Sequence, residues 1–183
     1  MTGPGGERPL VFGVAVPDEV DAVVALVRSA YRGISSRAGW TTEADLLDDE
    51  RIDTAGALAK ITAPGSAVLT ARTADGVLVG CCELLLTPGA AAYFGMFAVT
   101  PELQNARIGR RLLEHAETLA RESGAPAVEM TVIAQRSDIL DWYGRRGYAP
   151  TGETRSFPYG ELIDGTASRT DLYFLVLSKQ LRG

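Results

Sequence analysis

Apolar positions recur along the chain with two different periods, and these lay out most of its elements. VFGVAV (11–16) is a short apolar, β-branched run and predicts a strand. After Pro17 and Asp18, the residues Val20, Val23, Val24, Val27 and Tyr31 share one face at helical spacing, and Gly33 ends that helix. ISSRAGWTT reads as a loop leading into a more polar, acidic helical region, roughly 42–62. Three strands follow at SAVLTART (66–73), VLVGCCELLL (77–86) and AAYFGMFAV (91–99). Ala74, Asp75 and Gly76 make a hairpin turn between the first two, and Pro88 and Gly89 make another, so this part of the sheet is antiparallel.

The next helix carries Ile108, Leu112, Ala116, Leu119 and Ala120 on one face and stops at Gly124. AVEMTVIA (127–134) is then a strand, reached through a helix and therefore parallel to the preceding one. Ser137 is placed to cap a short helix, DILDWYGRR, ended by Gly147. Strands near 148–156 and 171–178, joined by the loop FPYGELIDGTASR, complete the chain. The order β-α-α-β-β-β-α-β-α-β-β fits one mixed α/β sheet with helices on both faces. A doubly wound dinucleotide fold fits poorly, because three hairpin-linked strands interrupt the alternation.

Composition narrows the function. The chain has 183 residues with 46% hydrophobic and 22% charged, an ordinary balance for one domain. We expect a loose tail over residues 1–9, where TGPGGERP has turn-forming composition, and a single domain over 10–183. A net charge of −5 argues against a nucleic-acid partner. No apolar run is long enough to cross a membrane and no N-terminal stretch reads as a signal peptide, so the expected location is cytoplasmic. Cys81 and Cys82 are adjacent and point to opposite faces of a strand; with one histidine in the chain, no thiolate zinc site and no other metal site is expected.

The chemistry concentrates in TPELQNARIGRRLL (100–113), where a strand ends and an amphipathic helix begins. The first amides of a helix have no partner within it and suit phosphate. This stretch and a second one together resemble the GNAT superfamily of acetyl-CoA-dependent N-acyltransferases. The family's strand ends in V-x-P, followed by Gln/Arg-x-x-Gly-x-Gly/Ala and a helix. Here Val99, Thr100 and Pro101 precede Gln104, Asn105, Ala106, Arg107, Ile108 and Gly109, and only Arg107 departs, standing at the first glycine. The second stretch, DWYGRRGY (141–148), is similar to the family's L-Y-x-x-x-G-F helix, with Tyr143 at the tyrosine and Arg136 where an asparagine often precedes it.

The resemblance implies a site. Backbone N–H groups from Gln104 through Arg110 (Gln104, Asn105, Ala106, Arg107, Ile108, Gly109 and Arg110) would hold the coenzyme pyrophosphate. Gly109 would allow close approach, and the Arg110 guanidinium would meet phosphate. Arg107 is expected in a right-handed conformation, with its side chain either on a phosphate or in solvent. Strand 91–99 would splay from strand 127–134, so that free backbone groups of Phe97, Ala98 and Val99 bind the pantetheine arm and polarise the thioester. Tyr143 is the candidate general acid, its phenol protonated at neutral pH. Glu83 is the first candidate for general base and Glu129 the second. Trp40, Glu43, Asp45, Arg155, Phe157 and Tyr159 are the candidates for contact with an amine acceptor, Trp40, Glu43 and Phe157 above all. Relatives often dimerise through late strands, so a homodimer is expected by analogy, although DLYFLVLSKQL could equally be an internal strand. The function implied is acetyl transfer from acetyl-CoA to a primary amine; the alternative is a non-catalytic acyl-CoA sensor of the same fold.

Overall fold

The computed structural model describes residues 9–31, 45–48, 52–104, 106–162 and 165–181. Its centre is a seven-stranded mixed sheet in the order β1-β3-β4-β5-β6-β9-β7. The strands are β1 (Leu10–Val14), β3 (Ser66–Thr73), β4 (Leu78–Leu85), β5 (Ala92–Val99), β6 (Ala127–Ile133), β7 (Ala149–Ser156) and β9 (Tyr173–Gln180). All neighbours are antiparallel except β5 and β6, which are parallel. The β3–β4 hairpin turns at Gly76, whose φ of 87° is the left-handed value glycine adopts without steric cost.

Helices cover both faces. On one, α1 (Val20–Tyr31) and α2 (Thr54–Thr62) bury Val23, Val27 and Ala57 against Val68, Cys81 and Ala98. On the other, α3 (Ile108–Glu122) buries Ile108, Leu112 and Ala116 against Leu69, Cys82 and Leu84. Tyr143 of α4 (Ser137–Gly144) joins this second core. Cys81 and Cys82 therefore face opposite cores, both as free thiols. Burial pushes the Cys81 thiol up to about 12. No helix among the described residues is long and apolar enough to cross a membrane.

Three local expectations change. The helical region placed at 42–62 holds instead a two-residue strand β2 (Leu47–Asp48), paired with β8 (Thr166–Ala167), and only then α2. Asp53 sets that start: its carboxylate accepts from the Gly56 N–H at 2.7 Å and caps the helix. Ser137 is the first helical residue of α4 rather than its cap; Arg136 occupies the cap position. The last strand runs over Tyr173–Gln180 rather than 171–178, and Asp171 before it pairs with Arg169 at 2.7 and 2.8 Å. It is an internal strand, paired with β6 on one side and β7 on the other, and β7 is the exposed edge.

Candidate active site

The β5–β6 junction opens a cleft. The strands pair only at Ala92–Val128 and Tyr93–Glu129, after which β6 continues along β9 alone. Toward β4, the register slips: Ala98 faces Cys81 and Gly95 faces Glu83, leaving Met96 and Phe97 opposite Cys82. This is a bulge, and Met96 takes a φ of 43°, a strained value for a side-chain-bearing residue. The Thr100 N–H donates to Val79 O at 3.0 Å. Since backbone groups alternate sides along an antiparallel pair, Ala98 is held to β4 while Val99 turns its N–H and C=O into the cleft.

Of the three backbone positions expected to meet the pantetheine arm, Val99 faces the cleft, and its carbonyl already accepts from Gln104 Nε2 at 3.2 Å. Ala98 is committed to β4. The Phe97 carbonyl accepts from the Tyr31 hydroxyl, which ties the end of α1 to the bulge.

The start of α3 forms the upper wall. Ala106 and Arg107 turn the chain into the helix, while Asn105 lies outside the described residues. Arg107 has φ 60° and ψ 8°, so its backbone is left-handed rather than right-handed as expected. A left-handed residue at this step explains why glycine suits the position: only glycine takes that conformation without a Cβ clash. Gly109 serves packing more than ligand approach. A Cβ there would stand 3.0 Å from Phe97 Cζ and 3.5 Å from Val99 Cγ2, so its absence lets α3 lie against β5. Ile108 is buried and points into the core. Arg110 is exposed and pairs with Glu114 one turn on, at 2.8 Å.

A depression of about 550 Å³ lies beneath this helix start. Phe97, Val99, Gln104, Arg107, Gly109 and Arg110 line one wall; Asp138, Asp141, Trp142, Arg145 and Arg146, all from α4 and its end, line the other. Arg145 and Arg146 were not among the expected binding residues, although GRRG inside the second motif carried the signal. The Arg146 guanidinium lies 3.5 Å from the Trp142 ring centroid and donates to Trp142 O at 2.6 Å. Its Nε is buried without a hydrogen-bond partner among the described residues. Burial, then the nearby Arg145 and Arg110 charges, lower its proton affinity. An anion in the depression would offset these clustered positive charges, so the side chains present fit a phosphorylated ligand.

A smaller cavity of about 80 Å³ lies in the cleft, and Phe97 and Trp142 line both it and the depression. Tyr31, Gly95, Met96, Thr131, Tyr143 and Phe174 also line it. Tyr143 is 6% exposed, and its ring meets Trp142 and Tyr148 edge-on. Its hydroxyl makes no hydrogen bond among the described residues. Burial, reinforced by the Tyr31, Cys82 and Tyr93 groups, pushes its pKa well above that of an ordinary phenol. Beside it, Arg136 is buried and holds Asp138 through two hydrogen bonds of 3.0 and 2.9 Å. Burial opposes the charge on Asp138, but this guanidinium outweighs it and keeps the carboxyl below its usual range.

Other expected site residues stand elsewhere. Glu83 lines neither cavity; its carboxylate turns to α2, where it takes Lys60 Nζ at 2.6 Å and the Ser66 hydroxyl at 3.4 Å. Phe157 is buried with Leu47, Ile133 and Leu172 and packs on Phe174 at 5.4 Å, so it backs the cavity wall without reaching the cavity. Arg155 is paired with Glu153, and the Tyr159 hydroxyl accepts from the Leu172 N–H at 2.8 Å. Trp40 and Glu43 lie outside the described residues.

Comparison with known proteins shows the family and the fold. The model of the acetyltransferase (GNAT) family matches residues 23–148. An IAA acetyltransferase of Azospirillum brasilense is 29% identical over 141 residues, covering 76% of this chain and 84% of its own. A solved GNAT-family acetyltransferase structure from Desulfovibrio desulfuricans superposes with a TM-score of 0.68 at 18% identity, over 94% of this chain and 99% of that one. A GNAT-family acetyltransferase from Elizabethkingia anophelis, solved with acetyl-CoA bound, gives 0.54 at 17% identity over 64% and 77%.

Proposed function

The chain belongs to the acetyltransferase (GNAT) family, and on that premise we propose that it transfers an acetyl group from acetyl-CoA to a primary amine by direct attack in a ternary complex. Residues 10–183 then serve as one acyltransferase domain. A homodimer would pair through the exposed edge strand β7, since β9 is occupied on both sides.

The chemistry follows from what each group can do. Amides at the start of α3, with Arg107 and Arg110, hold the diphosphate. The Val99 N–H anchors the arm that descends the cleft, and an amide freed by the bulge polarises the thioester carbonyl as it becomes an oxyanion. The attacking amine must be neutral; for an ordinary alkyl ammonium, losing the proton costs about 4–5 kcal/mol at pH 7. As the tetrahedral intermediate collapses, the carbon–sulfur bond breaks and Tyr143 gives its proton to the departing sulfur.

The observation that carries this reading is Tyr143, whose hydroxyl makes no hydrogen bond among the described residues and which lines a small cavity sharing Phe97 and Trp142 with the large depression. The test is thiol release from acetyl-CoA across a panel of primary amines, with Tyr143→Phe alongside. We expect at least one amine to accelerate release. Tyr143→Phe should lower turnover by about 10²-fold or more while coenzyme affinity stays within a few-fold. Binding of acetyl-CoA without release to any amine would favour the sensor reading. Unchanged turnover in Tyr143→Phe would remove Tyr143 from the mechanism.

A further inference from the structure

Four arginines converge on the large depression, and a diphosphate accounts for only part of that charge. Arg107 and Arg110 belong to the helix start, where backbone amides point at the ligand. Arg145 and Arg146 come from the opposite wall, past the end of α4, and they also border a second depression of about 440 Å³ that runs along α3 toward Lys179. Asp138 and Asp141 share that wall, but Asp138 is already held by Arg136. The Arg146 Nε stays buried without a partner, beside a second and a third guanidinium that disfavour its charge.

A diphosphate in this place has two ends. One must lead to the acyl arm, down the cleft past Phe97 and Val99. The other carries the ribose and leaves in the opposite sense, away from β5 and toward the end of α4. In coenzyme A that ribose bears a third phosphate. We propose that Arg145 and Arg146 bind this 3′-phosphate, so that the site discriminates the 3′-phosphorylated coenzyme from its dephospho form. The proposal rests on the acetyl-CoA reading above and adds to it the part of the donor that the helix start does not reach. Arg146 is pre-organised by the Trp142 ring and carbonyl and lines both depressions. Arg145 is exposed and supplies the second charge.

Titration calorimetry of the full chain with CoA and with 3′-dephospho-CoA tests this at fixed ionic strength. We expect CoA to bind about tenfold or more tightly, the size of one charge-assisted contact. The exposed Arg145 side chain makes no hydrogen bond or ion pair among the described residues, so Arg145→Ala should leave the fold intact; it should reduce the discrimination several-fold by weakening CoA and leaving dephospho-CoA nearly unchanged. Arg146→Ala should do the same more strongly. Equal affinities in the unsubstituted protein, or an undiminished ratio in both variants, would overturn the proposal while the acetyl-CoA reading stood. Failure of the unsubstituted protein to bind either compound would overturn both.

Discussion

Replacing Arg107 by glycine separates two roles that one residue combines. Its backbone sits at φ 60°, ψ 8°, in the left-handed region. A side-chain-bearing residue there costs roughly 1–2 kcal/mol relative to the right-handed region. Arg107→Gly relieves this, while the added freedom of glycine in the unfolded chain takes back about 0.4–1 kcal/mol. The net gain is about 0.5–1 kcal/mol, which for a chain of this size raises the melting temperature by about 1–4 °C. The same change removes a guanidinium from the wall of the depression, so acetyl-CoA affinity should fall about five- to tenfold, the effect fading as salt is raised. Urea unfolding reads the first effect and titration calorimetry the second. Lower stability in Arg107→Gly would refute the left-handed strain argument. Equal or tighter binding would show that the side chain is not on a phosphate.

Three further outcomes follow from packing and ionisation. Gly109→Ala puts a methyl 3.0 Å from Phe97 Cζ, and that ring is hemmed in by Phe94 and Trp142. The overpacking should exceed the helical gain, lower stability by about 1 kcal/mol and weaken coenzyme binding; a stabilised variant with normal affinity would show that the ring yields. Glu83→Gln should keep turnover within about threefold, because this carboxylate is committed to Lys60, whereas a fall of about 10²-fold would restore Glu83 as general base. Folding stability should decline above about pH 9. The unfolded Cys81 thiol ionises near 9.0, whereas the folded one holds its proton to about 12, and Tyr143 and Tyr148 shift the same way, so rising pH favours the unfolded chain. A urea midpoint that stays level from pH 7 to 10.5 would contradict this.

Most elements were legible in the sequence because their signals are local. Apolar periodicity located β3, β4, β5 and α3, the Ala74–Gly76 and Pro88–Gly89 turns set the antiparallel pairing, and the strand–helix junction at 99–109 falls on the wall of the large depression. What the sequence did not reveal depends on partners brought from far along the chain. Glu83 finds its lysine on α2, 23 residues away, and the Phe97 carbonyl finds Tyr31 across 66. Phe157 was expected at the acceptor because the resemblance puts the last loop there and an aromatic suits a cationic amine, yet β2, β6 and the segment before β9 bury it. Arg107 was expected to be right-handed because its residue type favours that region; the entry into α3, fixed by Gly109 against Phe97, overrides the preference. Arg145 and Arg146 face the helix start only once α4 is packed, so the GRRG stretch that carries them did not by itself say which wall they would line.

The central claim is that the site between the start of α3 and Tyr143 receives acetyl-CoA. Calorimetric titration of the full chain with acetyl-CoA tests it most directly. Saturable binding at micromolar concentration, with one coenzyme per chain and weakening with salt, is the predicted result. No saturable heat at millimolar acetyl-CoA would contradict it, leaving the fold in place without its donor.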